Sequence, residues 1–455
     1  MVSGVGLRLV FSSALLLVAC DADPVGTDTT GGDPSGTGAG AGGPTSSVSS
    51  STTDTTSAST GTGGAGGGAP DPCTLVTPVC ASDPPTQSAQ GLVPLDRCAF
   101  ALERSDVFDG SGALIDELET IASPVTLADV LGDLNRTAEP IAASAVPGDP
   151  AGVELAFRWE DSENDKLTWI PQGITGSADA SADALIEGRR IVLVSFYWNE
   201  DAEPATAKKG VRLAMVDLTN PQQPSYRFLL LVEPKENKNW GIVDIHAGGL
   251  AWFGDYLYVA STSLGLRVFD MRRILQADTS EDVIGCDGTT CKAGLYKYVL
   301  PQVGTYTRAT PCDPAPIFSF VGLDRSSTPP ALVTGEYCSD TACPSPLSGR
   351  VFRYPLDPAS GLLAADVTYA ADAFFMGERQ VQGAAAIGDT FYLSSSEPAG
   401  GAGALYRVDA SGRSAFGWID TPEDLMVDGP AGQLFGLSEA VGERAVFAAD
   451  LATYE

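Results

Sequence analysis

From about residue 153 onward, short runs of apolar residues alternate with breaks rich in Gly, Pro, Asp and Asn. Runs of this length between such breaks are typical of β-strands rather than helices. The runs recur in groups, and each group opens with a strand of small and apolar residues, often with glycine. These first strands are WIPQGITG (169–176), DIHAGGLAW (244–252), FSFVGLD (318–324), RQVQGAAAI (379–387) and TPEDLMVD (421–428).

Each first strand is followed by further apolar runs. The second strands are RIVLVSFY (190–197), DYLYVAST (255–262), PALVTGEY (330–337), DTFYLSSS (389–396) and GQLFGLSE (432–439). The third strands end near an aspartate: GVRLAMVD, GLRVFD, GRVFRYPLD, GALYRVD and RAVFAAD. An outer strand can be drawn in the first four groups: YRFLLLVE (226–233), GLYKYVLP (294–301), DVTYA (366–370) and SAFGWI (414–419). The fifth group has no outer strand of its own.

Repeated groups of four strands predict an all-β fold of the β-propeller type, in which small residues suit the narrow inner strand. The run VELAFRWE (153–160) precedes the first group and is otherwise unassigned. We expect it to complete the last blade, which gives five blades over residues 153–455. Six blades are the alternative if the region before residue 160 contains another, and an array of β-sandwiches is a further alternative.

Two likenesses support this fold. The stretch GDYLYVASTSLGLRVFD (254–270) resembles the blades of secreted bacterial propellers of the NHL and YVTN kind. The stretches WIPQGITG, GRRIVLVSFYW and HAGGLAWFGDYLYVAS resemble uncharacterised secreted proteins of actinobacteria and myxobacteria. The second likeness covers roughly residues 155–300 and implies no particular activity.

The chain begins with a targeting segment. Arg8 precedes an apolar run, Leu9–Val18, that is too short to span a bilayer. It leads into Leu17-Val18-Ala19-Cys20, which resembles the bacterial lipobox. This resemblance implies a signal peptide over 1–19 and a lipid on Cys20 that anchors the protein to a membrane. We therefore expect an exported lipoprotein of a Gram-negative bacterium, periplasmic or on the cell surface. An ordinary secretory peptide with an incidental cysteine is the alternative.

Two segments separate the leader from the strands. Residues 20–72 consist almost wholly of Gly, Ser, Thr, Ala, Asp and Pro, which predicts a disordered tether. Residues 73–152 are predicted to form a small cystine-containing helical segment, with two short helices on either side of Pro124. Thr126 and Asp129 have the spacing of a capping signal for the second helix.

The charge of the chain restricts its partners. Lys and Arg number 27 against 58 Asp and Glu, a formal net charge of −31. A surface this acidic repels phosphate backbones, so we expect no nucleic-acid partner. We expect a monomer that meets the membrane only through the lipid on Cys20 and binds a protein or a glycan.

Without Cys20, eight cysteines remain, an even number that suits disulfides in an exported protein. Two pairs have four small or polar residues between them, Cys286 with Cys291 and Cys338 with Cys343. We expect both pairs to form disulfides. The remaining four, Cys73, Cys80, Cys98 and Cys312, leave their pairing open. No CxxC spacing or nearby histidine supports zinc, and we expect no metal or other cofactor.

No catalytic motif such as GxSxG, HExxH or a Walker loop is present. His246, the one histidine, aligns with Pro171, Val381 and Pro422 of the other first strands, so it is not a shared catalytic position. We therefore predict a scaffold that binds its ligand through blade loops, with no catalytic residues. The expected binding residues are His246, Gln172, Gln382 and Trp252.

A hydrolase of the glycosidase or lactonase kind is the alternative. Inner strands line the axis of a propeller, so acidic side chains on them could meet in a central funnel. The candidates for general acid and base are Asp244, Glu423 and Asp424.

The lipobox resemblance makes a direct prediction about the mature protein. Mass spectrometry of its N-terminal peptide should find Cys20 as the first residue, carrying acyl chains. An unmodified terminus at any other residue would exclude the lipid anchor.

Overall fold

The computed structural model describes residues 71–81, 91–204, 207–338, 349–396 and 402–455. The leader, Cys20 and the expected tether as far as residue 70 lie outside the described residues. Within the described part, the chain is all-β in class, and its helices are few and short. None of those helices has the length and apolar character needed to cross a membrane.

The elements are as follows. The strands before the repeats are β1 (Val93–Pro94), β2 (Ala101–Arg104), β3 (Ser123–Val125), β4 (Arg136–Thr137), β5 (Glu139–Pro140) and β6 (Val153–Arg158). Those from the first repeat to the second are β7 (Trp169–Gly176), β8 (Ile191–Trp198), β9 (Val211–Asp217), β10 (Ser225–Lys235), β11 (Asn239–Ile242), β12 (Leu250–Phe253), β13 (Tyr256–Ser261), β14 (Gly265–Asp270), β15 (Ile274–Gln276), β16 (Ile284–Cys286), β17 (Cys291–Ala293) and β18 (Tyr298–Ala309). The remaining strands are β19 (Phe320–Asp324), β20 (Ala331–Gly335), β21 (Arg350–Pro355), β22 (Val367–Tyr369), β23 (Asp372–Phe375), β24 (Val381–Ile387), β25 (Thr390–Ser395), β26 (Gly403–Asp409), β27 (Gly412–Trp418), β28 (Pro422–Asp428), β29 (Gln433–Ser438) and β30 (Ala445–Asp450). The α-helices are α1 (Val107–Leu118), α2 (Leu127–Leu131), α3 (Asp161–Asn164) and α4 (Ser177–Ala180), with 3₁₀ turns at Pro72–Leu75, Arg97–Ala99, Ala143–Ala145, Glu200–Ala202 and Leu451–Tyr454.

Five antiparallel units, here sheets I to V, contain most of the strands. From the first strand outward they are β7-β8-β9-β10, β12-β13-β14-β18, β19-β20-β21-β23, β24-β25-β26-β27 and β28-β29-β30-β6. The first strands contact one another in cyclic order: β7 with β12, β12 with β19, β19 with β24, β24 with β28, and β28 with β7. The five first strands therefore surround a common axis, and we call them the inner strands.

The chain closes this cycle with a strand from before the first repeat. β6 pairs with β30, and Phe157 lies opposite Val446. This confirms the expectation that residues 153–160 supply the missing outer strand of the last group. Because only ten residues separate β6 from β7, its pairing holds sheet V next to sheet I.

Two predicted outer strands are wrong. Residues 294–301 were expected to form the outer strand of sheet II, but Gln302–Thr307 of β18 pair with β14. Residues 298–301 instead pair in parallel with β10 of sheet I. Likewise β22, within the predicted strand 366–370, pairs with β2, and the outer strand of sheet III is β23. The cause is that neighbouring sheets and the N-terminal segment compete for these strands.

The N-terminal segment is less helical than predicted. α1 and α2 are present, and Thr126 and Asp129 form the expected capping box of α2. The same segment also supplies β1, β3, β4 and β5, which pair with β23, β15, β10 and β6. These short strands cover the backbone groups at sheet edges that would otherwise remain unpaired.

Disulfides fasten this segment and one hairpin. Cys286 and Cys291 are bonded, as predicted, and join β16 to β17 at directly opposed positions. Cys338 is also disulfide-bonded, whereas Cys343 lies outside the described residues. The four cysteines whose pairing the sequence left open form Cys73–Cys98 and Cys80–Cys312. The second bond links residues 232 positions apart and so ties the N-terminal segment to the strands of the ring.

Glycines allow the inner strands to approach one another closely. A Cβ placed on Gly249 of sheet II would lie 2.2 Å from the backbone nitrogen of Val321 in sheet III. A Cβ on Gly173 would lie 2.8 Å from Leu250, and one on Gly383 would lie 2.5 Å from the Cα of Asp424. Each of these glycines therefore faces the inner strand of the next sheet at a distance that a side chain would not permit.

We predict that Gly249→Ala lowers the free energy of unfolding by about 3 kcal/mol, because the new methyl group collides with backbone that cannot rotate away. Gly417→Ala is the matched control, since Gly417 also lies in a strand and a Cβ there meets no atom within 4 Å. The control should be neutral or stabilising by about 0.5 kcal/mol. Denaturant titration of both variants measures the difference, and equal stabilities would contradict the close approach.

Candidate functional site

Asp424 occupies the axis. Its side chain is 0% exposed, and its Oδ2 accepts hydrogen bonds from the backbone N–H groups of Ile174 at 3.0 Å and Leu250 at 3.2 Å. These two residues belong to the inner strands of sheets I and II, whereas Asp424 belongs to sheet V. One carboxyl group therefore joins three sheets at the centre of the ring.

The environment of this carboxyl disfavours its charged form. Burial raises the pKa of Asp424 well above its usual range, although the N–H groups of Ile174 and Leu250 oppose the shift. Oδ1 is buried and has no hydrogen-bond partner in the described structure. Asp424 was a candidate catalytic acid, but a fully buried carboxyl that is bonded to backbone on two sides is not accessible to a substrate.

The five inner strands place equivalent residues at the same height around the axis. Pairing with the second strands aligns Ile174, Leu250, Gly322, Ala384 and Leu425. Two positions earlier in each inner strand or its approach come Gln172, Gly248, Phe320, Gln382 and Glu423. In this second set, the polar side chains that hydrogen-bond to each other are Gln172 of sheet I and Glu423 of sheet V.

Glu423, Gln172 and Glu439 form a polar cluster at this end of the axis, which we call the axial cluster. Gln172 donates a hydrogen bond from Nε2 to Oε2 of Glu439 at 3.2 Å and also bonds Glu423. Burial raises the pKa of Glu423 well above its usual range, and the neighbouring carboxyls of Glu439 and Asp424 raise it further. Burial likewise raises the pKa of Glu439, and Arg444 partly opposes this shift. The cluster therefore tends to hold protons on its carboxyl groups.

Sheet III has a glutamate and an arginine at the positions equivalent to Glu439 and Arg444 of sheet V, but their side chains pair differently. Glu336 and Arg350 lie opposite each other there, as Glu439 and Arg444 do in sheet V. Arg350 donates two bonds to the carboxylate of Glu336, from Nε at 2.8 Å and from Nη2 at 2.6 Å. In sheet V, by contrast, Arg444 bonds the main-chain oxygens of Glu439 and Glu163. The Glu439 carboxyl is thereby left to face Gln172 and the axis.

His246 does not lie on an inner strand, so that part of its prediction is wrong. It lies in the approach to β12, and the residue that aligns with Pro171 and Val381 is Ala247, one position later. The imidazole stacks on the ring of Tyr197, with centroids 4.1 Å apart and planes inclined by 30°. Tyr197 lies on β8 opposite Ile170, close to the start of the inner strand of sheet I.

Three other predicted site residues lie outside the axial cluster. Asp244 is on the surface, where its 41% exposed side chain pairs with Nζ of Lys208 at 3.1 Å. Trp252 was expected to bind a ligand, but it is 1% exposed and its indole N–H donates to the Gly254 carbonyl within the core. Gln382 is half-buried on β24. The proposed acid set of Asp244, Glu423 and Asp424 is therefore not assembled at one site.

Sequence reasoning missed Glu439, Arg444 and Tyr197. Tyr197, near the end of β8, is equivalent in position to Glu336 and Glu439, which directly follow the second strands of sheets III and V. A comparison of the residues that end the second strands could have indicated this second ring around the axis. Across the described residues, no group of three or more His, Cys, Asp or Glu side chains is arranged to hold a metal ion.

A further buried carboxyl lies at the opposite end of the inner strand of sheet I. Asp179, in α4, accepts a hydrogen bond from Oγ1 of Thr175 at 2.7 Å. Burial raises its pKa to about 7, and Asp428 raises it slightly, while Thr175 and Arg325 oppose the shift. Nη1 of Arg325 donates to the Asp179 main-chain oxygen at 2.6 Å.

Comparison with known proteins gives only distant likenesses. No protein-family model matches the chain, and no curated protein matches it. A GH43_1 enzyme from Xanthomonas citri is 12% identical over 74% of this chain and 92% of its own, with a TM-score of 0.30. Hydrazine synthase from Kuenenia stuttgartiensis is 12% identical over 60% of this chain and 74% of its own, with a TM-score of 0.25. An auxiliary nutrient-binding protein from Bacteroides thetaiotaomicron is 10% identical over 56% and 66%, with a TM-score of 0.27. Likenesses this weak assign no function.

The raised pKa of Asp179 predicts how stability depends on pH. A carboxyl that is harder to ionise in the folded state stabilises that state fully below its unfolded pKa, near 3.8, and loses this contribution as the pH rises through about 7. Thermal unfolding should therefore occur at a higher temperature at pH 5 than at pH 8. The stability of Asp179→Asn relative to the wild type should increase from pH 5 to pH 8, by on the order of a few kcal/mol.

Asp389→Asn serves as the control for this measurement, because Asp389 is exposed in the turn between β24 and β25. It should retain the wild-type slope of stability against pH. An unchanged slope in Asp179→Asn would show that Asp179 does not titrate as described.

Proposed function

We propose that this chain is a five-bladed β-propeller of the cell envelope, anchored through a lipid on Cys20, that binds a ligand without transforming it. Two observations support the blade count: the cyclic contacts of the five inner strands and the pairing of β6 with β30. The lipobox resemblance of residues 17–20 and the disulfides support export.

The main support for a binding role is the burial and hydrogen bonding of Asp424. Its carboxyl is fully buried and bonded to the backbone of two other sheets, so the axis is closed at this level and holds no open catalytic funnel. Asp244 is occupied by Lys208 on the surface. Two of the three acids that a hydrolase was expected to use thus have structural partners instead.

The ligand-binding surface of the proposal lies around the axial cluster. Gln172 and Glu439 provide hydrogen-bond donors and acceptors, and the stacked rings of Tyr197 and His246 lie beside the same inner strand. Polar groups close to an aromatic pair suit a glycan or a polar protein surface. The acidic chain disfavours polyanionic ligands such as nucleic acids.

One observation favours the hydrolase alternative. Glu423 and Glu439 are neighbouring carboxyls linked through Gln172, and both have raised pKa values. A pair of carboxyl groups of which one keeps its proton is what acid–base hydrolysis of a glycoside requires. In this second candidate function, Glu439 would replace Asp244 and Asp424 as the partner of Glu423.

A glycan array, with a hydrolase screen on the same glycans, separates the two functions. With the mature chain, we expect binding without turnover, weakened about tenfold by Glu439→Gln through loss of one hydrogen bond from the carboxyl to the ligand. Glu336→Gln is unsuitable as a control because Glu336 holds Arg350, so the exposed Asp389→Asn is used. Turnover that Glu439→Gln or Glu423→Gln abolishes would overturn the binding role in favour of hydrolysis. Failure to bind any glycan would leave a protein as the ligand class to be sought by cross-linking at the same surface.

A further inference from the structure

A short loop between Cys73 and Cys80 presents apolar side chains to solvent. Leu75 is 80% exposed, Val79 is 72% exposed and Val76 is 53% exposed. Among the residues that the structure describes, the first two are the most exposed of the large apolar side chains. Single exposed apolar residues are ordinary on a protein surface, whereas several close together mark an interaction site. We call residues 74–79 the apolar loop.

The apolar loop carries no charge of its own, and its two polar side chains are threonines. The acidic groups beside it are already engaged. Asp71, which precedes the loop, pairs with Arg97 at 3.1 Å. Oδ2 of Asp96 accepts a hydrogen bond from the main-chain N–H of Val79 at 2.6 Å. The surface that the loop offers to a partner is therefore mainly apolar.

A disulfide holds each end of the apolar loop. Cys73 is bonded to Cys98, and Cys80 is bonded to Cys312 on the connection between β18 and β19. A loop fixed at both ends loses less conformational entropy when a partner covers it. The apolar side chains are therefore presented on a constrained support rather than on a free chain end.

The backbone of the apolar loop favours a partner that needs no directional pairing. Residues 71–81 contain one 3₁₀ turn and no strand, so an extended peptide finds no strand edge here to pair with. The interfacial region of a lipid bilayer accepts apolar side chains without such pairing and leaves main-chain polar groups within reach of water. Contact with a bilayer would therefore be shallow.

The chain before the loop brings a bilayer within reach. Fifty residues, 21–70, lie between Cys20 and Asp71, just before the loop. A disordered tether of this length, as the sequence predicts, spans roughly 40 Å on average. With Cys20 held by its lipid, contact between the loop and the same bilayer becomes an intramolecular event, so a weak contact of a few side chains suffices.

We propose that the apolar loop enters the interfacial region of the bilayer in which Cys20 is anchored, with Leu75, Val76 and Val79 as the inserted side chains. This inference rests on the lipid anchor of the proposed function and adds a second membrane contact to it. The net charge of −31 repels anionic headgroups, so the surface that the loop fits is a zwitterionic phospholipid. The contact fixes one side of the ring toward the membrane, whereas a lipid on a long tether alone does not.

Tryptophan fluorescence of Leu75→Trp tests this contact. The mature chain, residues 20–455, is prepared without acylation and coupled through the Cys20 thiol to a maleimide phospholipid in phosphatidylcholine vesicles. The six native tryptophans give a background that the coupled wild type measures. We expect the added emission of Leu75→Trp to shift to shorter wavelength and to be quenched by brominated phosphatidylcholine. Absence of both effects would overturn the proposal.

Leu185→Trp is the matched control, because Leu185 is 41% exposed on the connection between β7 and β8. Its added emission should stay unquenched in the same vesicles, and equal quenching at both positions would contradict a specific contact through the apolar loop.

A second arm places a charge in the loop. Val76→Asp, combined with Leu75→Trp, should abolish the quenching because a carboxylate opposes entry into the interface. Leu185→Asp, combined with Leu75→Trp, should leave the quenching unchanged. Quenching that persists with Val76→Asp would overturn the proposal. Because the coupling is chemical, these results do not depend on native acylation of Cys20 or on glycan binding at the axial cluster, so this inference and the proposed function fail separately.

Discussion

The structure depends on how closely its five inner strands approach the axis. At Gly173, Gly249 and Gly383 the neighbouring strand lies so close that a Cβ would collide with it. At Gly383 the close neighbour is Asp424, whose carboxyl binds the backbone of sheets I and II from sheet V. A buried carboxyl is expensive unless it is hydrogen-bonded, so its position is acceptable only because inner-strand N–H groups converge on it. The absence of a side chain at Gly383 therefore makes room for the axial carboxyl.

This constraint also determines where chemistry can occur. Because the Asp424 carboxyl is buried and bonded to backbone, the polar groups that could meet a ligand lie away from it, toward the end of the axis. Glu423, Gln172 and Glu439 lie at the end of the axis, and Arg444 bonds the main-chain oxygens of Glu439 and Glu163. Sheet III pairs the equivalent acid and arginine with each other, whereas sheet V separates them. One change in the pairing of two side chains thus leaves the Glu439 carboxyl to bond Gln172, whereas the Glu336 carboxylate is held by Arg350.

The sequence predicted the elements that depend on local patterns and failed where distant segments compete. The inner and second strands, the capping box of Thr126 and Asp129, the Cys286–Cys291 bond and the pairing of β6 follow from apolar runs, spacing and the need to complete the last group. The outer strands of sheets II and III do not, because β10 and β2 bind residues that the repeat alone assigns elsewhere. The alignment of inner strands was shifted by one residue at His246, and Ala247 occupies the position that was assigned to it, because the approach to β12 differs from that of the other inner strands. The axial cluster was found only in part, since the orientation of Glu439 depends on Gln172, 267 positions away.

Amide hydrogen exchange of the wild type and Asp424→Ala, followed by mass spectrometry of peptides, tests the central claim that one axial carboxyl joins three sheets. The account predicts faster exchange in β7 and β12 as well as in β28, although these strands are far apart in the chain, while β20 of sheet III keeps its wild-type protection. Faster exchange confined to β28 would contradict it.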